Sequence, residues 1–404
     1  SRPAVTPSFR HIVWPLAVAE TVVWAAMYYA FPALLPAWEA ELGWTKTELS
    51  GAFTLALVVS AALAPVAGRL IDNGHGRQAF TGGAVLGALM LALLSQVTAL
   101  WQFYAIWVGL GVAMSSTLYE ACFAVLTLAM GPHAKRAITL VTLAAGFAGT
   151  LSFPSAHALA GAFGWRGAVL VFAAAVAVVA VPLIWIGCQR AEQHAATHAP
   201  QASPRASHAL GVTRSARFWL LVVAFAMIAL DHGAVITHVL PILEDRGVHE
   251  EAAVLAASMI GPMQVAGRLA MMTAERHVST LAISLGCYLA LGLAAGALLG
   301  ASAVPGLVVG FVIFQGAGIG VTSIIRPVVV AELLGRTNFG VVSGLLAVPY
   351  MGGYAAGPTI AALVWERGGY DLVLLLAILA AVLGLLALLA AWRSAPLRPG
   401  EGGA

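Results

Sequence analysis

The sequence predicts an all-α membrane protein, with twelve transmembrane helices in two six-helix bundles related by a parallel pseudo-repeat. Three observations carry that expectation. Of the 404 residues, 61% are hydrophobic and only 9% charged, against about 25% charged in an ordinary soluble domain. So few charges cannot cover a soluble protein of this length, and the apolar excess needs lipid as its solvent. The apolar residues come in long continuous runs, which excludes a β-barrel. Short motifs also recur in order at nearly constant spacing. Composition excludes a soluble enzyme, a nucleic-acid binder and a disordered chain.

About 20 mostly apolar residues cross the hydrocarbon core as a helix. Read with that window, the runs are 12–36, 48–70, 78–98, 101–130, 136–161, 167–187, 217–243, 252–273, 278–300, 304–332, 338–365 and 371–392. Charge, Gly or Pro separates them, as helix ends require. Much of the glycine lies inside the runs, where small residues let helix backbones approach. No charged n-region, apolar h-region and cleavage site precede the first run, so no removable signal peptide is expected. Cys122, Cys188 and Cys287 have no paired or metal-ligand spacing, and no disulfide framework is expected.

The segment 188–216, rich in Ala, His, Pro, Ser and Gln, reads as a cytoplasmic linker between bundles 1–187 and 217–404. His194 and His198 stand at i, i+4 within it, but a solvated tract accounts for them, and neither metal nor cofactor is expected. With twelve spans both termini share one side. That side holds fifteen Lys and Arg residues, against Lys46, Arg166, Arg246 and Arg367 on the other, with Arg326 inside a span. The positive-inside rule puts both termini in the cytoplasm, with a bacterial inner membrane the expected location.

Val66-Ala67-Gly68-Arg69-Leu70 recurs as Val265-Ala266-Gly267-Arg268-Leu269. Leu35-Pro36 before Glu39 recurs as Leu240-Pro241 before Glu244, the pair Gly109 and Gly111 as Gly316 and Gly318, and Pro154 as Pro358. Ordered matches point to a duplicated six-helix unit. Parallel repeats of this kind put a binding site near the midplane, between the halves.

Gly68-Arg69-Leu70-Ile71-Asp72 followed by Arg77 resembles the loop 2–3 signature of the major facilitator superfamily. The layout of six and six spans and Gly164-Trp165-Arg166 between spans five and six do so too, and the resemblance covers the whole chain. One departure is His75, flanked by Gly74 and Gly76, where the family has a glycine. The resemblance implies alternating access, with Gly68, Asp72 and Arg77 in a gating loop. It also implies that spans one, four, seven and ten line the cavity.

Phe31-Pro32-Ala33-Leu34-Leu35-Pro36, Glu41-Leu42-Gly43-Trp44-Thr45 and Glu48-Leu49-Ser50-Gly51-Ala52-Phe53 are similar to bacterial relatives of the monocarboxylate porters. In that branch an arginine of span eight binds the carboxylate. Arg268 stands at the matching position, with Gln264 where an aspartate commonly precedes it. Gly146, Gly149 and Pro154 lack the spacing of the span-five signature of proton-driven drug antiporters.

An ionisable side chain near the bilayer centre is costly and reads as functional by default. Arg326 in span ten is the foremost substrate candidate, because a guanidinium fork matches a carboxylate. It binds an anion and rests on Glu120 when empty, or forms a permanent structural pair with Glu120, or snorkels to the interface. Glu120, Asp231 and Glu20 are the proton-coupling candidates, since burial and a nearby cation act oppositely on a carboxyl. Each could equally be a hydrogen-bonded core carboxyl.

His238 shares a face with Asp231 and joins the proton candidates, with His232 beside them as an anion contact. Either histidine could instead be a packing residue. Tyr28, Tyr119, Gln315, Tyr350 and Arg268 complete the substrate set, with packing as the alternative for the aromatics and gating for Arg268. No nucleophile–base pair, clustered ligand set or nucleotide-binding loop is present, so no enzyme is expected. The expectation is a monomeric secondary transporter moving a small organic anion, monocarboxylate-like, with protons. The alternative is a proton-driven exporter of a cationic or amphipathic compound that uses the three carboxylates.

Overall fold

The computed structural model describes residues 7–130, 134–195, 212–335 and 339–394. Every regular element among them is helical. The first four spans are α1 (Phe9–Leu42), α2 (Lys46–Leu70), α3 (Asn73–Leu94) and α4 (Leu100–Met130). A continuous stretch of 59 residues, Arg136–His194, holds α5 (136–163) and α6 (165–194), divided at Gly164 with φ 70° and ψ 167°. A side chain there would clash with its own backbone, so Gly164 is what lets the chain reverse.

Helix α7 is Ala216–Thr237, continued after a break at His238 by the short turn Val239–Asp245. Then follow α8 (Glu250–Ala274), α9 (Thr280–Gly300) and α10 (Leu307–Leu334). The last stretch, Phe339–Arg393, holds α11 (339–367) and α12 (370–393), divided at Gly368 and Gly369, the latter with φ 65°. Among the described residues ten stretches are long and apolar enough to cross a membrane. Two of them are double, which makes the twelve spans read from the apolar runs.

The helix starts are set by local chemistry. At α2 the Thr45 hydroxyl accepts from the Glu48 N–H at 3.1 Å, while the Glu48 carboxylate accepts from the Thr45 N–H at 2.9 Å. That reciprocal box satisfies two orphan donors. Ser215 and Ser279 cap α7 and α9 in the same manner, each hydroxyl accepting at 3.2 Å from the N–H three residues on. Helix α6 runs on to Ala195, so the expected linker 188–216 begins as helix, and 196–211 lie outside the described residues.

The described chain forms two compact units, Ser1–Gln201 and Ala202–Ala404. They have the same internal plan. In the first unit α2 and α3 both pack on α4, and in the second α8 and α9 both pack on α10. The first helix of each unit packs against its last two spans.

Glycines make the closest crossings. A Cβ on Gly111 would lie 2.4 Å from the carbonyl oxygen of Ala56 in α2, and one on Gly316 2.6 Å from that of Ile260 in α8. Gly318, the sequence match of Gly111, faces α9 beside Ala290 and Leu291.

The first unit is further held by an aromatic cluster. Phe31 stacks on Phe53 at 4.3 Å, and Trp107 meets Phe31, Phe53 and Trp38 edge-on or nearly so. Such pairs add about 0.5–1.5 kcal/mol each beyond area, and in lipid, packing of this kind is a main source of helix association. In the second unit Arg217 joins three helix ends. Its guanidinium donates to the carbonyls of Leu333 (3.0 Å) and Ala391 (3.2 Å) and to Ser394. Counted in the sequence as a topology-setting charge, it is also a buried clamp.

Candidate functional site

Each unit carries its own group of polar and aromatic side chains. In the first, α1 widens to a π-helical turn over Trp24–Tyr28, a feature frequent at functional sites. One turn earlier Glu20 is fully buried. Its Oε2 accepts from the Trp24 indole at 3.1 Å. Its Oε1 meets no donor among the described residues other than the Cys122 thiol beside it.

Helix α4 is interrupted at 116–118 and restarts with Tyr119 and Glu120 in its first turn. Tyr119 stacks on Phe123 at 5.1 Å and lies 4.6 Å from Trp24, which in turn lies 5.1 Å from Tyr28. Glu120 is exposed. The structure thus brings Glu20, Trp24, Tyr28 and Tyr119 together on α1 and α4, with Glu120 beside Tyr119.

In the second unit Asp231 is 1% exposed, and neither carboxylate oxygen has a hydrogen-bond partner among the described residues. An ionised carboxylate so placed is costly, which singles it out from every other acid of that unit. The adjacent His232 has a partner. Its Nδ1 lies 2.9 Å from the Gln315 side-chain nitrogen on α10, and its ring lies 5.4 Å from that of Tyr354 on α11.

Gln315 is fully buried and its Oε1 has no partner among the described residues. Arg326, three turns further along α10, is half-buried, with its guanidinium carbon 3.9 Å from the centre of the Tyr350 ring. Its Nη1 is buried without a hydrogen-bond partner among the described residues, and no described carboxylate of its own unit pairs with it. Glu120 belongs to the other unit.

Two expected site residues are engaged elsewhere. His238 shares Nε2 with the carbonyl of Pro358 at 3.1 Å and Nδ1 with the Tyr370 hydroxyl at 3.5 Å. Those contacts tie the break in α7 to α11 and α12. Arg268, 3% exposed, donates from Nε to the carbonyl of Gly320 at 3.1 Å, which joins α8 to α10.

In the loop between α2 and α3, a Cβ on Gly68 would meet nothing within 4 Å. Asp72 stands in the turn Ile71–His75, and its side chain lies outside the described residues. Arg77 is fastened to α6: its backbone N–H donates to Glu192 at 3.2 Å, its Nε lies 3.6 Å from the same carboxylate, and its guanidinium covers Trp185 at 4.5 Å. Glu192 and Tyr354 are the partners that sequence reasoning missed. Tyr354 stands at i+4 from Tyr350, on the same helical face, and that spacing could have revealed it.

The sequence profile of the Major Facilitator Superfamily matches residues 16–293. The chain belongs to that superfamily. The crystal structure of a mutant form of the nucleoside transporter NupG has the same fold: TM-score 0.73, with 12% identity over 95% of this chain and 99% of the other. Among curated proteins none matches. The superfamily member described here is therefore an integral, multi-pass membrane protein. It is a secondary transporter of a small molecule rather than an enzyme.

Proposed function

We propose that this transporter carries a small organic anion, monocarboxylate-like, together with protons. One observation supports this most: Arg326 lies part-way along α10, stacked on Tyr350, with a buried N–H group that no described residue satisfies. A donor left open in this way loses its hydration without compensation, and a bidentate anion restores it. Asp231, Glu20 and Glu120 are the groups we assign to proton handling, and Asp231 stands first because both its oxygens lack partners. Gly68, Asp72 and Arg77 gate the path, both termini are cytoplasmic, the membrane is a bacterial inner membrane, and the residues around 196–211 link the halves. The transporter works as a monomer.

Thermal stability of the purified protein against organic acids and organic cations, at pH 5.5 and 7.5, tests the reading. A ligand bound only by the folded state raises the melting temperature. An organic acid is expected to stabilise the wild type and not Arg326→Ala. Stabilisation by cations alone, retained in Arg326→Ala, overturns the anion reading and moves the substrate to the carboxylates.

A further inference from the structure

Arg326 is one end of a continuous line of side chains inside the second unit. Its guanidinium covers Tyr350, the Tyr350 ring lies 6.0 Å from Tyr354, Tyr354 lies 5.4 Å from His232, and His232 meets the Gln315 amide at 2.9 Å. Gln315 and Arg326 stand eleven residues apart on α10. That is close to three full turns, so they share a face, about 16 Å apart along the axis.

The two ends are chemically different, and each is incomplete. Arg326 keeps an unpartnered Nη1, a charged donor. The Gln315 amide keeps one open end, the carbonyl oxygen, in a side chain fully closed to solvent. Were the amide turned over, the nitrogen would be open instead, since His232 Nδ1 meets only one of the two. The tyrosines between offer ring faces and are half-buried. A two- or three-carbon acid on Arg326 leaves the rings and the amide untouched.

We infer that the line Arg326–Tyr350–Tyr354–His232–Gln315 is a binding track for an aryl carboxylate with a hydroxyl at its far end. The carboxylate sits on Arg326, the planar ring lies against the tyrosines, and the hydroxyl completes the Gln315 amide. A hydroxyl both donates and accepts, so it satisfies either setting of that amide. His232 orients the amide and is a positioning residue. This inference rests on the anion reading above and narrows its substrate class.

The test compares propionate, phenylpropionate and 4-hydroxyphenylpropionate as competitors and as stabilising ligands of the full-length protein in detergent and in proteoliposomes. In the wild type, affinity is expected to rise at each step, by about tenfold for the hydroxyl, the scale of one buried hydrogen bond. In Gln315→Met the ratio of 4-hydroxyphenylpropionate to phenylpropionate affinity is expected to fall to about one. Tyr354→Leu reduces the gain from the ring and serves if Gln315→Met does not fold.

Equal binding of the three acids in the wild type, or a hydroxyl gain that survives Gln315→Met, overturns the track. If propionate binds through Arg326 and the aryl acids do not, the anion reading stands and the track falls. If no acid binds, both fall.

Discussion

At the scale of single residues, the half-buried Arg326 and the buried Arg268 differ in what their donors meet. Both lie in helices of the second unit, and the resemblance to monocarboxylate porters singled out Arg268. Its Nε is bonded to the Gly320 carbonyl between α8 and α10, whereas Arg326 leaves a donor open. Arg326→Ala is expected to weaken binding of the transported acid by about 10- to 100-fold, the range of one charge-assisted hydrogen bond. Arg326→Lys should recover only part of that, because an ammonium keeps the charge but loses the planar fork. Arg268→Ala is expected to lower the melting temperature first. Competition binding beside thermal unfolding checks both, and equal affinity of Arg326→Ala and wild type would remove the arginine from the site.

The residue scale is also where the sequence was least legible. Asp231, Glu20 and Arg326 stood out because charge in an apolar run has no cheap explanation. What their side chains meet depends on rotation about each helix axis, which packing decides. His238 and His232 look alike in the sequence. One is held at both ring nitrogens by Pro358 and Tyr370, and the other points at a half-satisfied amide. No local pattern distinguishes them.

At the scale of elements, hydropathy located the spans well, because lipid demands long apolar helices with their backbone bonds made internally. It did not locate their interruptions. The π-turn at Trp24–Tyr28, the gap at 116–118 in α4 and the break at His238 in α7 all fall inside continuous apolar runs. Local chemistry acts there together with packing on neighbouring helices: the hydroxyls of Ser115, Ser116 and Thr117 bond back to the carbonyls of Val112 and Ala113, and Pro241 has no N–H to offer the Thr237 carbonyl.

Glycine positions test this dependence on neighbours. Gly316→Ala would place a Cβ 2.4 Å from that of Met263 and 2.6 Å from the Ile260 carbonyl oxygen, whereas Gly286→Ala in α9 meets nothing within 4 Å. The first is expected to cost about 1–3 kcal/mol, as overpacking does, and the second to be neutral or slightly stabilising. Thermal unfolding of the pair decides it, and equal losses would mean that the α8–α10 crossing is not tight.

A second element-level prediction concerns Arg217. Arg217→Ala leaves the carbonyls of Leu333 and Ala391 without their side-chain donor, and a clear drop in melting temperature is expected with ligand affinity unchanged.

At the scale of the whole molecule, two six-helix units with the same internal plan and a single superfamily assignment make the chain a gradient-driven machine, and the remaining question is which gradient. A carboxylate that moves with one proton carries no net charge. If the proposal of proton-coupled anion transport holds, uptake into proteoliposomes is expected to be driven by an outside-acid pH gradient and to be indifferent to a potassium-diffusion potential.

On the proton-coupled proposal Asp231 is the residue to test, since it is the buried carboxyl of the second unit with no partner at either oxygen among the described residues. Asp231→Asn keeps the shape and burial of the side chain but removes its ability to bind and release a proton. The variant is expected to lose accumulation against a gradient while it keeps substrate exchange across the membrane at equal pH, because exchange returns the loaded carrier without releasing the proton. Counterflow and gradient-driven uptake measured on the same vesicles read the two separately. If Asp231→Asn accumulates substrate as the wild type does, the proton passes elsewhere and Glu20 with Glu120 in the first unit become its carriers. If both activities vanish while the protein remains folded, Asp231 supports the substrate path itself rather than its coupling.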